Sequence, residues 1–164
     1  MGAVTIYEYA GGAGAFQRLV ERFYARVRVD PLLAGLFACF TDEHARRVAL
    51  WLGEVFGGPP LYTQEQGGHH DILVRHGGLA ITEAQRERWA ALMLATAREV
   101  LPPEPKLQRR FAAYIEWGTR IAREASQPGF LPGEAGEVPR WDWGAAGPPG
   151  AAGPVEPAGP APAG

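Results

Sequence analysis

The sequence predicts an all-α fold, and three observations carry that prediction. Apolar residues step by three and four through each long segment before residue 128. No segment alternates apolar and polar residues as a half-buried strand does. Glycine and proline clusters at 57–59, 67–68, 77–78 and 102–105 cut the chain into helix-sized lengths.

The elements follow in order. Phe16, Leu19, Val20, Phe23, Tyr24 and Val27 form one apolar face, predicting a helix over about 13–29. Asp30-Pro31 breaks it, and Leu32 to Phe37 predicts a short turn of helix. Thr41 or Asp42 caps the next helix, whose inner stripe reads His44, Val48, Trp51, Leu52 and Val55. Gly57-Gly58-Pro59 ends it, and the stretch from 57 to 68 reads as a long loop. A short helix is expected over 69–76, stopped by Gly77-Gly78. Thr82 caps a helix whose inner face is Trp89, Leu92, Met93, Thr96, Ala97 and Val100. After the prolines at 102, 103 and 105, a last helix carries Leu107, Phe111, Tyr114, Ile115, Gly118, Ile121 and Ala122 inward. Periodicity alone equally allows a four-helix bundle.

Residues 128–164 hold nine prolines and nine glycines in thirty-seven positions. Such a segment cannot sustain a helix, so the expected organisation is one domain, 1–127, and a flexible extension, 128–164, mostly disordered. Val138-Pro-Arg-Trp-Asp-Trp143 interrupts it. Tryptophans two apart on extended backbone point the same way, suited to clamping the folded domain or another protein.

Bulk properties bound the function. At 46% hydrophobic and 21% charged, with net charge -2, the chain has an ordinary core and no basic stripe for nucleic acid. One cysteine, Cys39, excludes an intrachain disulfide and suits a reducing compartment. A free cysteine is usually a small buried hydrophobe. With no signal-peptide pattern and no long apolar run, a cytoplasmic protein with no membrane partner is expected. Gly11-Gly12-Ala13-Gly14 lacks a preceding strand and dinucleotide-loop spacing, so no flavin or nicotinamide site is expected.

The chemistry centres on His76, at the end of Asp71-Ile-Leu-Val-Arg-His-Gly-Gly78. Helix geometry puts the Ile72 carbonyl, four residues earlier, beside its Nδ1, which leaves Nε2 free for a metal. A lone histidine there otherwise serves as a helix cap. Trp89, thirteen residues on, can donate a hydrogen bond but accept none. Together with Arg22-Phe-Tyr-Ala-Arg-Val27, Gly57-Gly-Pro59 with Tyr62, and Gly67-Gly68, this pattern resembles the group II truncated haemoglobins over about Tyr7 to Ser126.

That resemblance implies a two-over-two helical sandwich holding haem b, with His76 as the proximal iron ligand. It implies Tyr24 and Trp89 as distal donors and Phe37 as the aromatic packed on the haem. Tyr62 and Arg75 would contact the propionates, and Arg47 is added from helix geometry, three residues past His44. His44 falls where group II members often carry a small residue, so it either touches the gas or swings outward as a gate. Val48 closes the pocket wall. The implied ligands are dioxygen, nitric oxide and carbon monoxide, with Tyr24, Trp89 and His44 as the reactive-side residues. Strong donors slow oxygen release, which favours redox chemistry with nitric oxide or peroxide, fed by a separate reductase, over carriage or storage. Members occur as monomers and dimers, so either state is expected. Two other classes compete. One is a non-haem metal site at His69-His70-Asp71, although adjacent helical residues diverge by about 100°. The other is a haem-free interaction module using Trp141 and Trp143.

Overall fold

In the computed structural model, residues 2–133 and 136–150 are described. Seven helices form among them: α1 (Ile6–Ala10), α2 (Gly12–Val27), α3 (Asp42–Val55), α4 (Leu61–Gln66), α5 (His69–His76), α6 (Glu83–Val100) and α7 (Pro105–Ala125). No strand occurs among the described residues. The pair α2–α3 packs across the pair α6–α7, chiefly through α2 against α6, which makes the two-over-two sandwich. No helix among the described residues is long and apolar enough to cross a membrane.

The inner faces settle largely where periodicity puts them, although on α6 Trp89, Leu92 and Val100 are half-buried while Arg86 and Ala90 are buried. All six apolar positions of α2 named above are buried. Phe16 stacks on Phe56 at 6.0 Å and Phe56 on Phe111 at 5.3 Å, so one run of rings joins α2, the end of α3 and α7. Thr41 caps α3 by accepting from the His44 N–H, and Thr82 with Gln85 closes a capping box on α6. Residues 31–39 form hydrogen-bonded turns without a helix; Phe37 N–H donates to the Leu33 carbonyl at 3.2 Å.

Two elements escape the periodic reading. Helix α1 is too short for a repeat, yet Thr5-Ile-Tyr-Glu8 carries a reciprocal capping box, with bonds of 2.8 and 3.1 Å. Helix α4 lies inside the stretch expected to be loop. Its first turn depends on Glu54, a buried carboxylate of α3 that accepts from the Thr63 N–H at 2.9 Å and from its hydroxyl. A tertiary contact thus satisfies the free N–H groups that open a helix, and local spacing does not reveal it.

The glycine pair after α3 lets α1 approach. A Cβ on Gly58 would meet the Gly53 carbonyl at 2.7 Å and the Tyr7 ring at 2.8 Å. Gly58→Ala is therefore expected to lower stability by about 1–3 kcal/mol, the usual cost of overpacking. Chemical denaturation of the unloaded protein reads it; an unchanged midpoint would contradict the close approach.

Asp30 joins the end of α2 to α6. Its carboxylate accepts from the Leu32 and Leu33 N–H groups at 3.0 and 3.2 Å, and from Arg88 Nε at 2.7 Å. The Arg88 hydrogen bond, ahead of the backbone donors, holds this carboxyl below its ordinary 3.8. A depressed folded-state value means stabilisation above the ordinary value, lost as pH falls through the folded one. Asp30→Asn is expected to lower the melting temperature at neutral pH, with the gap to the parent closing below pH 3.8. Thermal melts across pH check this.

The extension carries no helix or strand in 128–133 and 136–150, as its composition requires, yet its centre packs on the sandwich. Val138 and Trp143 are buried, and Trp143 Nε1–H donates to the Val4 carbonyl at 2.8 Å. Of the two alternatives for the tryptophans, docking on the domain is the one seen. The rest of the expected disorder, at 151–164, lies outside the described residues.

Candidate functional site

Between α3, α5, α6 and α7 lies a largely apolar cavity of about 440 Å³. Helix α5 on its edge has no buried residue, although Ile72 and Leu73 face the cavity. All nine residues singled out from the sequence line it: Tyr24, Phe37, His44, Arg47, Val48, Tyr62, Arg75, His76 and Trp89.

On the α5 side, His76 Nδ1 lies 2.7 Å from the Ile72 carbonyl oxygen. A carbonyl only accepts, so the ring proton sits on Nδ1 and donates. Burial holds His76 below its ordinary value, against the weaker upward pull of that bond. The neutral ring therefore carries its lone pair on Nε2, the state a metal requires.

Across the cavity, α2 and α3 bring Tyr24 and His44 together. The Tyr24 hydroxyl and His44 Nε2 are joined at 3.2 Å. Phe40, which the sequence reading missed, stacks on Tyr24 at 4.2 Å and lies 4.9 Å from the His44 ring. Those contacts turn His44 inward. Burial, helped by the Arg47 charge, lowers its pKa to about 4, so at neutral pH the ring is uncharged. Burial drives the Tyr24 hydroxyl strongly upward, with the neighbouring Trp89 N–H pulling it back. Trp89 itself is held edge-on by Phe23 at 4.8 Å.

A polar group sits at one end. Tyr62 hydroxyl and Arg75 Nε both donate to the same oxygen of Asp71, each at 2.7 Å. Asp71, weighed in the sequence only as part of a His69-His70-Asp71 metal cluster, is a second residue whose role beside Arg75 was missed; the i,i+4 spacing was its signal. Arg47 lines the cavity with no ion-pair partner among the described residues. His69 stacks on Trp51 at 6.1 Å, and no three His, Cys, Asp or Glu side chains gather for a metal among the described residues. Cys39 is exposed at the cavity edge, a correction to the buried hydrophobe a lone cysteine usually is.

A helical sandwich that closes an apolar slot, with one imidazole lone pair on its floor and hydrogen-bond donors on its roof, belongs to the globin class. The comparisons agree. The family model described as "Bacterial-like globin" matches residues 5–116. The group 2 truncated hemoglobin YjbI of Bacillus subtilis is 38% identical over 82 residues, covering 50% of this chain and 61% of that relative's length. The hemoglobin structure from Chloroflexus aurantiacus is 34% identical, with TM-score 0.66, over 73% of this chain and 97% of its own. The structure of a truncated oxygen-avid haemoglobin from Bacillus subtilis is 31% identical, with TM-score 0.65, over 73% and 98%. The chain belongs to the bacterial-like globins, as a group II truncated haemoglobin.

The family's cofactor is haem b, and the residues present fit it. The cavity is largely apolar, His76 offers an unprotonated Nε2, and Arg47 and Arg75 supply guanidinium donors for two carboxylates, with Arg75 and the Tyr62 hydroxyl held in place by Asp71.

Proposed function

We propose that this chain binds dioxygen and the related gases nitric oxide and carbon monoxide, and that it serves redox chemistry more than transport. Haem b, when bound, supplies a five-coordinate ferrous iron that takes a diatomic ligand and exchanges an electron. His76 would hold it through Nε2. Phe37 and Val48 would pack against it, Arg47 and Arg75 would neutralise its carboxylates, and the Tyr62 hydroxyl would donate a hydrogen bond to one of them. Tyr24, Trp89 and His44 face the gas.

The observation that carries this is the opposition of one fixed imidazole lone pair to a cluster of polar side chains around the buried Tyr24. Dioxygen that draws electron density presents negative charge at its outer atom, and the Tyr24 O–H and Trp89 N–H stabilise that charge. Carbon monoxide gains little from them. Each hydrogen bond to a charged acceptor contributes roughly 1.5–3 kcal/mol, so two slow release by on the order of a hundredfold or more. Slow release suits reaction with nitric oxide or peroxide, with electrons from a separate reductase. The oxygen-avid behaviour stated for the Bacillus subtilis relative points the same way.

The proposed organisation is a globin unit over 1–127, monomeric or homodimeric, working in the cytoplasm. Stopped-flow oxygen dissociation tests the proposal. Slow release supports it, and release on the order of tens per second or faster would return the protein to the carrier class.

A further inference from the structure

We propose that the C-terminal extension is part of the haem site, and that Trp141 is a positioning residue for the cavity wall. This inference rests on the haem assignment above.

The extension lies across one stripe of α7. Lys106 Nζ donates to the Gly147 carbonyl, and Arg110 Nε donates to the Asp142 carbonyl at 2.7 Å. The Arg110 guanidinium lies over the Trp141 ring at 5.0 Å. Tyr114 and Trp117 then meet that ring at 5.6 and 6.0 Å. Residues 106, 110, 114 and 117 step by three and four, so they share one face of the helix. The Trp141 backbone N–H donates to the Val55 carbonyl of α3 at 2.7 Å, while its ring meets α7. Trp141 thereby pins α3 to α7 on the side away from the gas.

What it presses on is the cavity lining. Tyr114, Trp117 and Trp51 all line the slot. Trp51 Nε1–H donates to the Tyr114 hydroxyl at 2.6 Å, and Trp51 meets Tyr62 edge-on at 5.1 Å. A continuous aromatic path therefore runs from the extension, through Tyr114 and Trp51, to the buried Tyr62. Packed cores transmit displacement because they lack free volume. Without the Trp141 ring, Tyr114 loses its outer support and the α7 wall beside α5 relaxes. Trp143 is the contrast. It is buried against Tyr9 at 5.4 Å and bonded to Val4, a seat on the N-terminal segment outside the slot.

The test is haem loss from the full-length, haemin-loaded protein to an excess of a scavenging apoglobin, with the melting temperature of the unloaded form measured alongside. Trp141→Ala is expected to lose haem roughly tenfold faster, which corresponds to about 1.4 kcal/mol. Trp141→Phe keeps an aromatic buttress and should lie within about threefold of the parent. Trp143→Ala should lower the melting temperature while leaving haem loss unchanged. Arg110→Gln loosens the seat without removing a ring, and should accelerate loss by about threefold. Loss from Trp141→Ala at the parent rate, or equal acceleration in Trp143→Ala, overturns the proposal. Should Trp141→Ala fail to fold, an unchanged rate in Arg110→Gln overturns it. A parent that takes up no haemin at all overturns the haem assignment as well, which separates the two failures.

Discussion

Replacing His76 with alanine is expected to abolish stable haem retention. Its Nδ1 is fixed on the Ile72 carbonyl, so the ring is already in the required tautomer with Nε2 free. Losing a group that merely supports a metal ligand costs 10- to 100-fold in affinity, so losing the ligand itself should weaken haemin binding by roughly a hundredfold or more. The purified variant should emerge pale, and haemin titration should lack the Soret band of an imidazole-ligated haem. Added imidazole should restore that band, because the substitution opens a ring-sized space beside the slot. A His76→Ala protein that keeps its pigment and spectrum would remove the basis of the site described here.

The second large effect concerns oxygen release. Trp89→Phe and Tyr24→Phe each delete one donor while keeping most of the ring volume. Each should accelerate dissociation by about ten- to hundredfold, the range implied by roughly 1.5–3 kcal/mol per bond. Carbon monoxide release should change far less. Tyr24→Phe also strips His44 of its 3.2 Å partner, so its effect should not add to that of His44→Leu in a double-mutant cycle. Additive effects would mean that Tyr24 and His44 act separately. If neither Trp89→Phe nor Tyr24→Phe changes oxygen loss, the distal assignment fails while His76 ligation stands.

Much of this architecture is readable from spacing. The α2, α3, α6 and α7 faces repeat over several turns, and a long repeat is a strong signal because one buried stripe repeats its demand every three to four residues. Helix α5 is readable because Gly67-Gly68 and Gly77-Gly78 bracket it. Eight of the nine site residues converge on one cavity because their helices carry them there, and Phe37 arrives on the hydrogen-bonded turns between α2 and α3. What escaped depends on contacts distant in sequence. Helix α4 starts on a carboxylate from α3, and the inward turn of His44 depends on Phe40, whose own place follows from stacking on Tyr24. Asp71 was visible as an i,i+4 partner of Arg75, but its bond to Tyr62 requires the fold. The seat of Trp141 joins residues of α3 and α7 that no local pattern connects.

The 2.7 Å bond from His76 to the Ile72 carbonyl has a last consequence, for electron supply. A carboxylate behind the imidazole would lend it anionic character and push density toward the metal. An uncharged peptide oxygen does this weakly. Reduction should therefore come more easily than in a carboxylate-backed counterpart, and heterolytic scission of a peroxide less so. Within the redox roles proposed, that tilts the balance toward nitric oxide scavenging. Potentiometry on the ferric–ferrous couple would register the difference directly.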